Sequence, residues 1–210
     1  MLLFSEFFCA CAGLWKTERT YHDFINSEVE RSFTEYQVTP LLLEEKQAIV
    51  DLAGELELQS YALCPGFAIS FATISAKGER VAMNLKALFA PQDYIVNYQE
   101  LRFPDVLPIA SQIPQTAEAI QGLYLRDEGY SEAGVAKSQF TYLPSRQTLE
   151  MTTVYRQSIA VDQMRFVAAD VRLRTIITYR RPPTPEPPQE ITLVGFGVEH
   201  RQPLHSASTN

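Results

Sequence analysis

Gly13-Leu14-Trp15-Lys16-Thr17-Glu18-Arg19-Thr20-Tyr21-His22, near the start of the chain, and Asp170-Val171-Arg172-Leu173-Arg174-Thr175, near its end, decide the fold. The first is rich in Thr, Tyr and Trp, side chains that suit a pleated, half-buried surface, and reads as a strand over residues 14–24. The second opens a strand over residues 171–180. Strand alternation places Trp15, Thr17, Arg19, Tyr21 and Asp23 on one face and Lys16, Glu18, Thr20 and His22 on the other. In the late strand Asp170, Arg172, Arg174 and Ile176 share a face opposite Val171, Leu173, Thr175 and Ile177. Two arrangements satisfy that pattern. In one, Val171 and Leu173 face the core and the arginines face water. In the other, Arg172 and Arg174 turn inward with Arg19 as a third cation, and their planar guanidiniums offer paired donors to carboxylates. Glu199, in Gly197-Val198-Glu199-His200, either pairs with one of these arginines or accepts hydrogen bonds from N–H groups of a ligand.

Outward from these stretches the β pattern continues. Further strands are expected at residues 31–43, 67–76, 80–89, 93–101, 119–126, 136–143, 148–159, 164–168 and 191–199. In the second strand Phe33 and Thr39 lie on one face and Thr34, Tyr36 and Val38 on the other. Residues 3–12 pattern as a short helix ended by Gly13, and residues 44–58, with Ile49, Leu52, Ala53 and Leu56 at helical spacing, as an inserted amphipathic helix. About ten short, evenly spaced strands with so little helix specify an antiparallel barrel or sandwich rather than βαβ units. One domain is expected over residues 1–203, followed by a disordered tail at residues 204–210. The run Pro182-Pro183-Thr184-Pro185-Glu186-Pro187-Pro188 is a stiff loop between the last two strands, because only one strand follows it.

Composition narrows the function. Of 210 residues, 46% are apolar and 20% charged, as in ordinary globular domains, and the net charge is -7. That balance argues against a nucleic-acid binder, which needs a basic surface. Cys9, Cys11 and Cys64 lack metal-ligand spacing and read as free thiols in a reducing compartment, and no metal site is expected. The apolar start resembles a secretory signal, but no basic segment precedes it and Glu6 interrupts it; no stretch reaches the length of a membrane span. Ser-His-Asp order, Gly-rich phosphate loops and His-Glu-x-x-His are absent, so hydrolase, kinase and metalloenzyme readings have no support.

The opening Gly13–His22 stretch resembles the G-x-W-x-S-x-R-T-x-H start of the CpcS/CpeS-type phycobiliprotein lyases. Gly122-Leu123-Tyr124-Leu125-Arg126-Asp127-Glu128-Gly129-Tyr130 is similar to that family's L-x-R-x-x-G-Y segment, Asp170–Thr175 to its N-L-R-L-R-T strand, and Glu199 falls at a matching acidic position. The matches keep their order from about residue 4 to residue 201.

The resemblance implies an all-β, lipocalin-like barrel related to fatty-acid-binding proteins, with an N-terminal helix and one inserted helix. Trp15 would plug its end beneath an arginine from a late strand. The implied activity is that of an enzyme, a chromophore lyase. It would bind an open-chain tetrapyrrole (a bilin such as phycocyanobilin or phycoerythrobilin, as substrate rather than cofactor) and promote thioether formation with a cysteine of a phycobiliprotein subunit. On this reading Glu199 and Asp170 serve the pyrroles as catalytic acids, Arg19, Arg172 and Arg174 hold the propionates, and Phe71, Tyr155 and Trp15 form walls. The alternatives are a non-catalytic partner subunit of such a lyase, or a carrier of bilin or another hydrophobic acid. The partner expected is the apo-subunit, with a homodimer or a heterodimer with a related lyase chain, no nucleic acid and no membrane span. The place expected is the cyanobacterial cytoplasm or plastid stroma. The chain departs from the family at Thr153-Val154-Tyr155-Arg156, where an acidic T-E-Y-E-like run is usual, at Phe71, in a tryptophan position, and at Asp170, where Asn is usual. These departures fit a different bilin preference or a subunit that works only with a second chain.

Overall fold

A computed structural model describes residues 1–54, 56–100, 108–111, 118–127 and 136–203. The expected tail and the Gly129-Tyr130 end of the L-x-R segment lie outside these residues. The described chain runs α1 (Phe4–Cys11), β1 (Gly13–Asp23), β2 (Glu28–Pro40), α2 (Leu43–Ala53), β3 (Gly66–Ser75), β4 (Arg80–Pro91), β5 (Ile120–Arg126), β6 (Ala136–Leu143), β7 (Thr148–Val154), β8 (Ser158–Ala168), β9 (Val171–Arg180) and β10 (Ile191–Arg201). Each strand pairs antiparallel with its neighbour in sequence, and β10 returns to pair with β1, closing the barrel. Closure satisfies the edge hydrogen bonds that an open sheet would expose.

The inner face of the barrel changes character along its axis. On β2 the inward residues run from Val38 and Tyr36 to Thr34 and Ser32, and on β3 from Phe67, Ile69 and Phe71 to Thr73 and Ser75. One end is therefore a hydrophobic core and the other a polar mouth. The apolar end is closed by α1, whose Phe7, Phe8 and Cys11 are buried against Trp15, Tyr36, Phe89 and Tyr142. The Phe8 and Phe89 rings lie 4.6 Å apart, and those of Phe7 and Tyr142 4.9 Å. Donors from the barrel fix the helix in place: Trp15 Nε1 donates to the Cys11 carbonyl at 2.9 Å, Tyr142 donates to the Leu2 carbonyl at 2.8 Å, and the Arg201 guanidinium donates to the Ala10 carbonyl. Two of these acceptors are last-turn carbonyls that have no partner within the helix.

A second core lies outside the barrel. Ile49 and Ala53 of α2 pack with Leu41, Leu56 and Cys64 over Leu88, Ala90, Leu123 and Leu125 of β4 and β5. The helix starts where Glu45 accepts the Leu42 N–H at 2.8 Å. It stops at Gly54, whose φ of +72° leaves the helical region, so Leu56 reaches the core from the connection rather than from the helix expected over residues 44–58.

Two expected strands differ from the structure. Residues 93–101 do not form a strand in their described part: Gln92–Tyr94 and Tyr98–Glu100 are 3₁₀ turns, with only a bridge between Leu58 and Ile95. The single strand read over residues 148–159 is broken after Val154, where Tyr155 N–H donates to the Ser158 carbonyl at 2.8 Å and reverses the chain. β7 is buried on both faces, so no alternation of apolar and polar residues marks the turn.

That double burial encloses a carboxyl. Glu150, on the outer face of β7 under the Ile109–Ser111 turn, is buried and accepts a hydrogen bond from Gln163 Nε2. Burial pushes its pKa up to about 7 from an ordinary 4.5. The folded protein thus keeps a proton that the unfolded chain releases, and stability falls as pH rises from 4.5 to about 7. Glu150→Gln is expected to raise the thermal midpoint at pH 7.5 and leave it nearly unchanged at pH 4.5. Equal shifts at both pH values would contradict this assignment.

Candidate functional site

Above the aromatic plug, β1, β10, β9 and β8 align their inward residues in rows. Thr17, Glu199, Arg172 and Phe166 form one row, and Arg19, Gly197, Arg174 and Met164 the next toward the mouth. The inward arrangement of the late arginines is the one found: Arg172 is 2% exposed, whereas Leu173 is 39% exposed on the outside. Arg172 lies flat over Trp15, its guanidinium carbon 3.8 Å from the ring centroid, and Arg201 approaches the same indole at 4.9 Å. Trp15 is thus a plug carrying a cation, as expected of it.

Arg172 then turns its edge to two acceptors. It donates to the Tyr36 hydroxyl, and its NH2 lies 2.9 Å from Oε2 of Glu199, which is 0% exposed. Arg19 reaches the other carboxylate oxygen at 3.3 Å. Burial alone would push the Glu199 carboxyl up, but Arg172, Arg174 and Arg19, with the Tyr36 hydroxyl, outweigh it and hold the group below the ordinary carboxylate range. The same burial, with the Glu199 charge beside it, pushes the Tyr36 phenol up and keeps it neutral. Glu199 therefore pairs with arginines, the first of the two roles its position allowed.

Toward the mouth the partners thin out. Arg174 is paired with Asp162 of β8 and approaches the Met164 sulfur at 3.7 Å. Arg19 Nε, Arg174 Nε, Asp162 Oδ1 and Ser32 Oγ are buried without a hydrogen-bond partner among the described residues. Each such group costs about 1–3 kcal/mol if left unmade, so their clustering inside one barrel marks a place built to receive polar atoms. Room for it comes partly from β10. A side chain on Gly197 would stand 2.9 Å from Thr17 Oγ1 and 3.0 Å from Arg19 Cγ, and one on Gly195 2.6 Å from the Tyr21 ring. The glycines let Arg19 and Tyr21 lie against the wall. On β5, opposite β10, Arg126 is buried and donates to the Tyr155 hydroxyl at 2.7 Å, and its guanidinium carbon lies 5.5 Å from the Tyr124 ring centroid. Phe71 lines the interior beside Tyr36 and Met83.

The structure brings Arg19, Arg172, Arg174, Glu199, Trp15 and Phe71 to the interior, and Tyr155, in the turn between β7 and β8, directs its hydroxyl to the buried Arg126. It does not bring Asp170 there. That residue is exposed in the turn between β8 and β9 at the helix-capped end, where its carbonyl accepts the Arg201 N–H, because β9 begins one residue later. Sequence reading missed Asp162, Arg126 and Tyr36. For Asp162 a signal existed: in Ile159-Ala160-Val161-Asp162-Gln163-Met164, alternation sets it on the face of Met164, which is core. Cys9 is exposed, Cys11 and Cys64 are buried, and all three are free thiols. No cluster of side chains suited to a metal occurs among the described residues, and no helix among them is long and apolar enough to cross a membrane.

A closed antiparallel barrel, plugged by aromatic side chains at one end and lined with arginines toward the other, is a lipocalin-like ligand-binding barrel. The chain belongs to the CpeS-like protein family, whose model matches residues 4–97 and 105–202. It is 34% identical over 200 residues to Chromophore lyase CpcS/CpeS 1 of Synechococcus sp., covering 94% of this chain and 96% of that one. It is 25% identical over 175 residues to Chromophore lyase CpcS/CpeS of Thermosynechococcus vestitus, with 83% of each covered. Its fold matches the solved S-type phycobiliprotein lyase CPES from Guillardia theta with a TM-score of 0.63, at 16% identity, over 94% of this chain and 92% of that one.

Removing one member of a buried pair leaves the other charge without compensation. Glu199→Gln is expected to cost about 3 kcal/mol of stability at pH 7, read by urea unfolding. Because the folded pKa is depressed, the wild-type advantage is full above 4.5 and shrinks as pH falls below it toward the folded value. A gap that stayed constant from pH 7 to pH 3.5 would show that Glu199 is not held ionised.

Proposed function

We propose that the barrel binds an open-chain tetrapyrrole through its arginine wall and promotes covalent attachment of that bilin to a cysteine of a phycobiliprotein subunit. The protein is a chromophore lyase. The observation that carries the site assignment is the clustering of Arg19, Arg172 and Arg174 on one inner wall around Glu199 and Asp162, with the Nε atoms of Arg19 and Arg174 buried and unpartnered among the described residues, in a protein of net charge -7. A bilin brings two propionates, four pyrrolic rings and a flat apolar body. Arg19 and Arg174, each with an unpartnered Nε, suit the propionates. Asp162, with one free oxygen turned inward, suits pyrrole N–H groups, and Phe71 suits a face of the ring system. Glu199 and Arg172, enclosed below, position Arg19 and Arg174 rather than touch the ligand.

The chemistry needs no nucleophile from this chain. The acceptor's thiol adds across the exocyclic double bond of ring A; a C–S bond forms, the thiol proton ends on the adjacent ring carbon, and nothing leaves. Cys11 cannot supply the thiolate, since burial raises its pKa, opposed only in part by Arg172, and it lies beneath the plug. Holding the bilin in one shape with ring A toward the mouth would accelerate the addition by positioning. The reaction belongs where bilin and newly made apoprotein meet, the cyanobacterial cytoplasm or plastid stroma.

The test mixes protein, phycocyanobilin and apo-phycocyanin subunits and reads fluorescent covalent product after denaturation. Acceleration over spontaneous addition is expected; binding without acceleration would make the protein a carrier, and no binding would remove the tetrapyrrole reading. Arg174→Gln is expected to weaken bilin binding by about tenfold or more, the loss of one charge-assisted contact, and to cost less stability than Glu199→Gln, because Arg174 and Asp162 are partly exposed and Glu199 keeps Arg172 and Arg19. Arg172→Ala is expected to lower stability as Glu199→Gln does. Unchanged affinity in Arg174→Gln would place the propionates elsewhere.

A further inference from the structure

The β1–β2 hairpin forms one lip of the barrel mouth, and its composition is unusual for a turn. Its tip exposes Phe24 (58%) and Ile25 (61%), and Val29 follows on the outer face (61%). A solvent-facing turn is ordinarily polar, and here the exposed apolar side chains are held in a fixed geometry. Asp23 Oδ1 accepts the N–H groups of Ile25 and Asn26 at 2.8 and 3.0 Å, Oδ2 accepts the Asn26 amide at 2.8 Å, and Ser27 takes a φ of +56°. Phe24 N–H donates to the Thr192 carbonyl at 3.0 Å, which ties the tip to the start of β10, where Ile191 adds to the patch. Such a preordered apolar edge loses little entropy on association.

The lip is also acidic. From Tyr21 to Glu30 the chain carries Asp23, Glu28 and Glu30 and neither Lys nor Arg; Lys77 of the neighbouring β3–β4 turn pairs with Glu28 at 3.5 Å, an exposed contact that leaves the lip net negative. Alternation puts all three carboxylates on the inward side of the hairpin, along the entrance. Across the mouth, the end of β9 and the β7–β8 turn carry Arg156, Arg180 and Arg181; Arg180 is paired with Glu190 at 2.7 Å, and Arg181 donates to the Tyr155 carbonyl at 3.1 Å. An acidic lip does not attract a dianionic ligand. It suits a protein whose own binding pocket is apolar and cationic.

Resting on the chromophore-transfer reading, we infer that the β1–β2 hairpin is the docking surface for the acceptor protein. The acceptor must itself hold the bilin after transfer, so its pocket presents cations for the propionates and apolar walls for the rings. Charge complementarity then places the basic rim of that pocket against Asp23, Glu28 and Glu30, with Phe24 and Ile25 on its apolar margin. The two mouths face each other, and the ring A edge of the bilin meets the acceptor's thiol without the ligand crossing water.

The experiment preloads wild-type protein, Phe24→Ser/Ile25→Ser and Glu28→Lys/Glu30→Lys with phycocyanobilin, then titrates apo-phycocyanin α and β subunits separately and reads covalent product. Both variants are expected to bind bilin within twofold of wild type. Both need at least tenfold more acceptor for half-maximal transfer, with the rate at saturating acceptor unchanged. Acceptor dependence like that of wild type overturns the inference alone. Loss of bilin binding in either variant overturns it by making the lip part of the ligand site. A change from dimer to monomer in sedimentation with unchanged transfer overturns it in favour of a second copy of this chain. Wild-type protein that neither binds bilin nor accelerates attachment overturns the transfer reading and this inference with it.

Discussion

The ion pair between Arg172 and Glu199, stacked on Trp15, is the contact on which the rest of the barrel interior depends. Two opposite charges this deeply enclosed lose their hydration, and their attraction compensates only if the remaining donors and acceptors are engaged. Trp15 supplies a π face to the guanidinium, Tyr36 accepts from its edge, and Arg19 takes the second oxygen of Glu199. Because Glu199 stays ionised, three guanidiniums coexist within one small volume. A neutral residue there would force Arg19, Arg172 and Arg174 to repel one another at low dielectric. The plug and the arginine wall are therefore one electrostatic unit.

This unit exists only in the closed barrel. Arg19 lies on the first strand and Glu199 on the last, 180 residues away, and β10 must pair with β1 before they meet. The helix caps the same end through Cys11 and Ala10 carbonyls that accept from Trp15 and Arg201, residues of those two strands. Closure of the sheet, docking of α1 and assembly of the cationic wall are thus coupled. Long-range pairing of this kind is slow to form, and until it forms the arginine wall is incomplete.

Much of this was legible in the sequence because alternation is a strict rule in strands. The faces of β1, β2 and β9 follow from it once a closed sheet is assumed, while Glu199 was left between an arginine partner and a ligand. Alternation alone left the late arginines undecided, since Val171 and Leu173 would make an equally regular inner face; the partners that the closed barrel brings to them, Glu199 and Trp15 for Arg172 and Asp162 for Arg174, decide between the two. Where both faces of a strand are buried the rule loses force. The break after Val154 went unread for that reason, and with it the continuity of β8 and the inward position of Asp162. Asp170 was misplaced because its face was right and its strand was not: β9 starts at Val171, so the residue before it sits in a turn. The segment at residues 93–101 carried strand-forming residues but meets the sheet only at Ile95.

Asp162 bears on how such a site can release what it binds. A carrier gains from holding every ligand carboxylate as tightly as possible; a protein that passes its ligand to another must let go. Arg174 is paired with Asp162, so on the proposed reading a ligand carboxylate would exchange one anionic partner for another. The gain on binding is the difference between two similar contacts, which is smaller than the gain at an unpaired arginine. On departure the same exchange runs backward, and Arg174 is never stranded without a counter-ion in a buried position. Glu199 cannot play this part, because it is fixed beneath by Arg172 and Trp15. The two acids thus differ by depth: the enclosed one keeps the arginines charged and in place, and on the proposed reading the partly buried one nearer the mouth would moderate how strongly they grip a carboxylate.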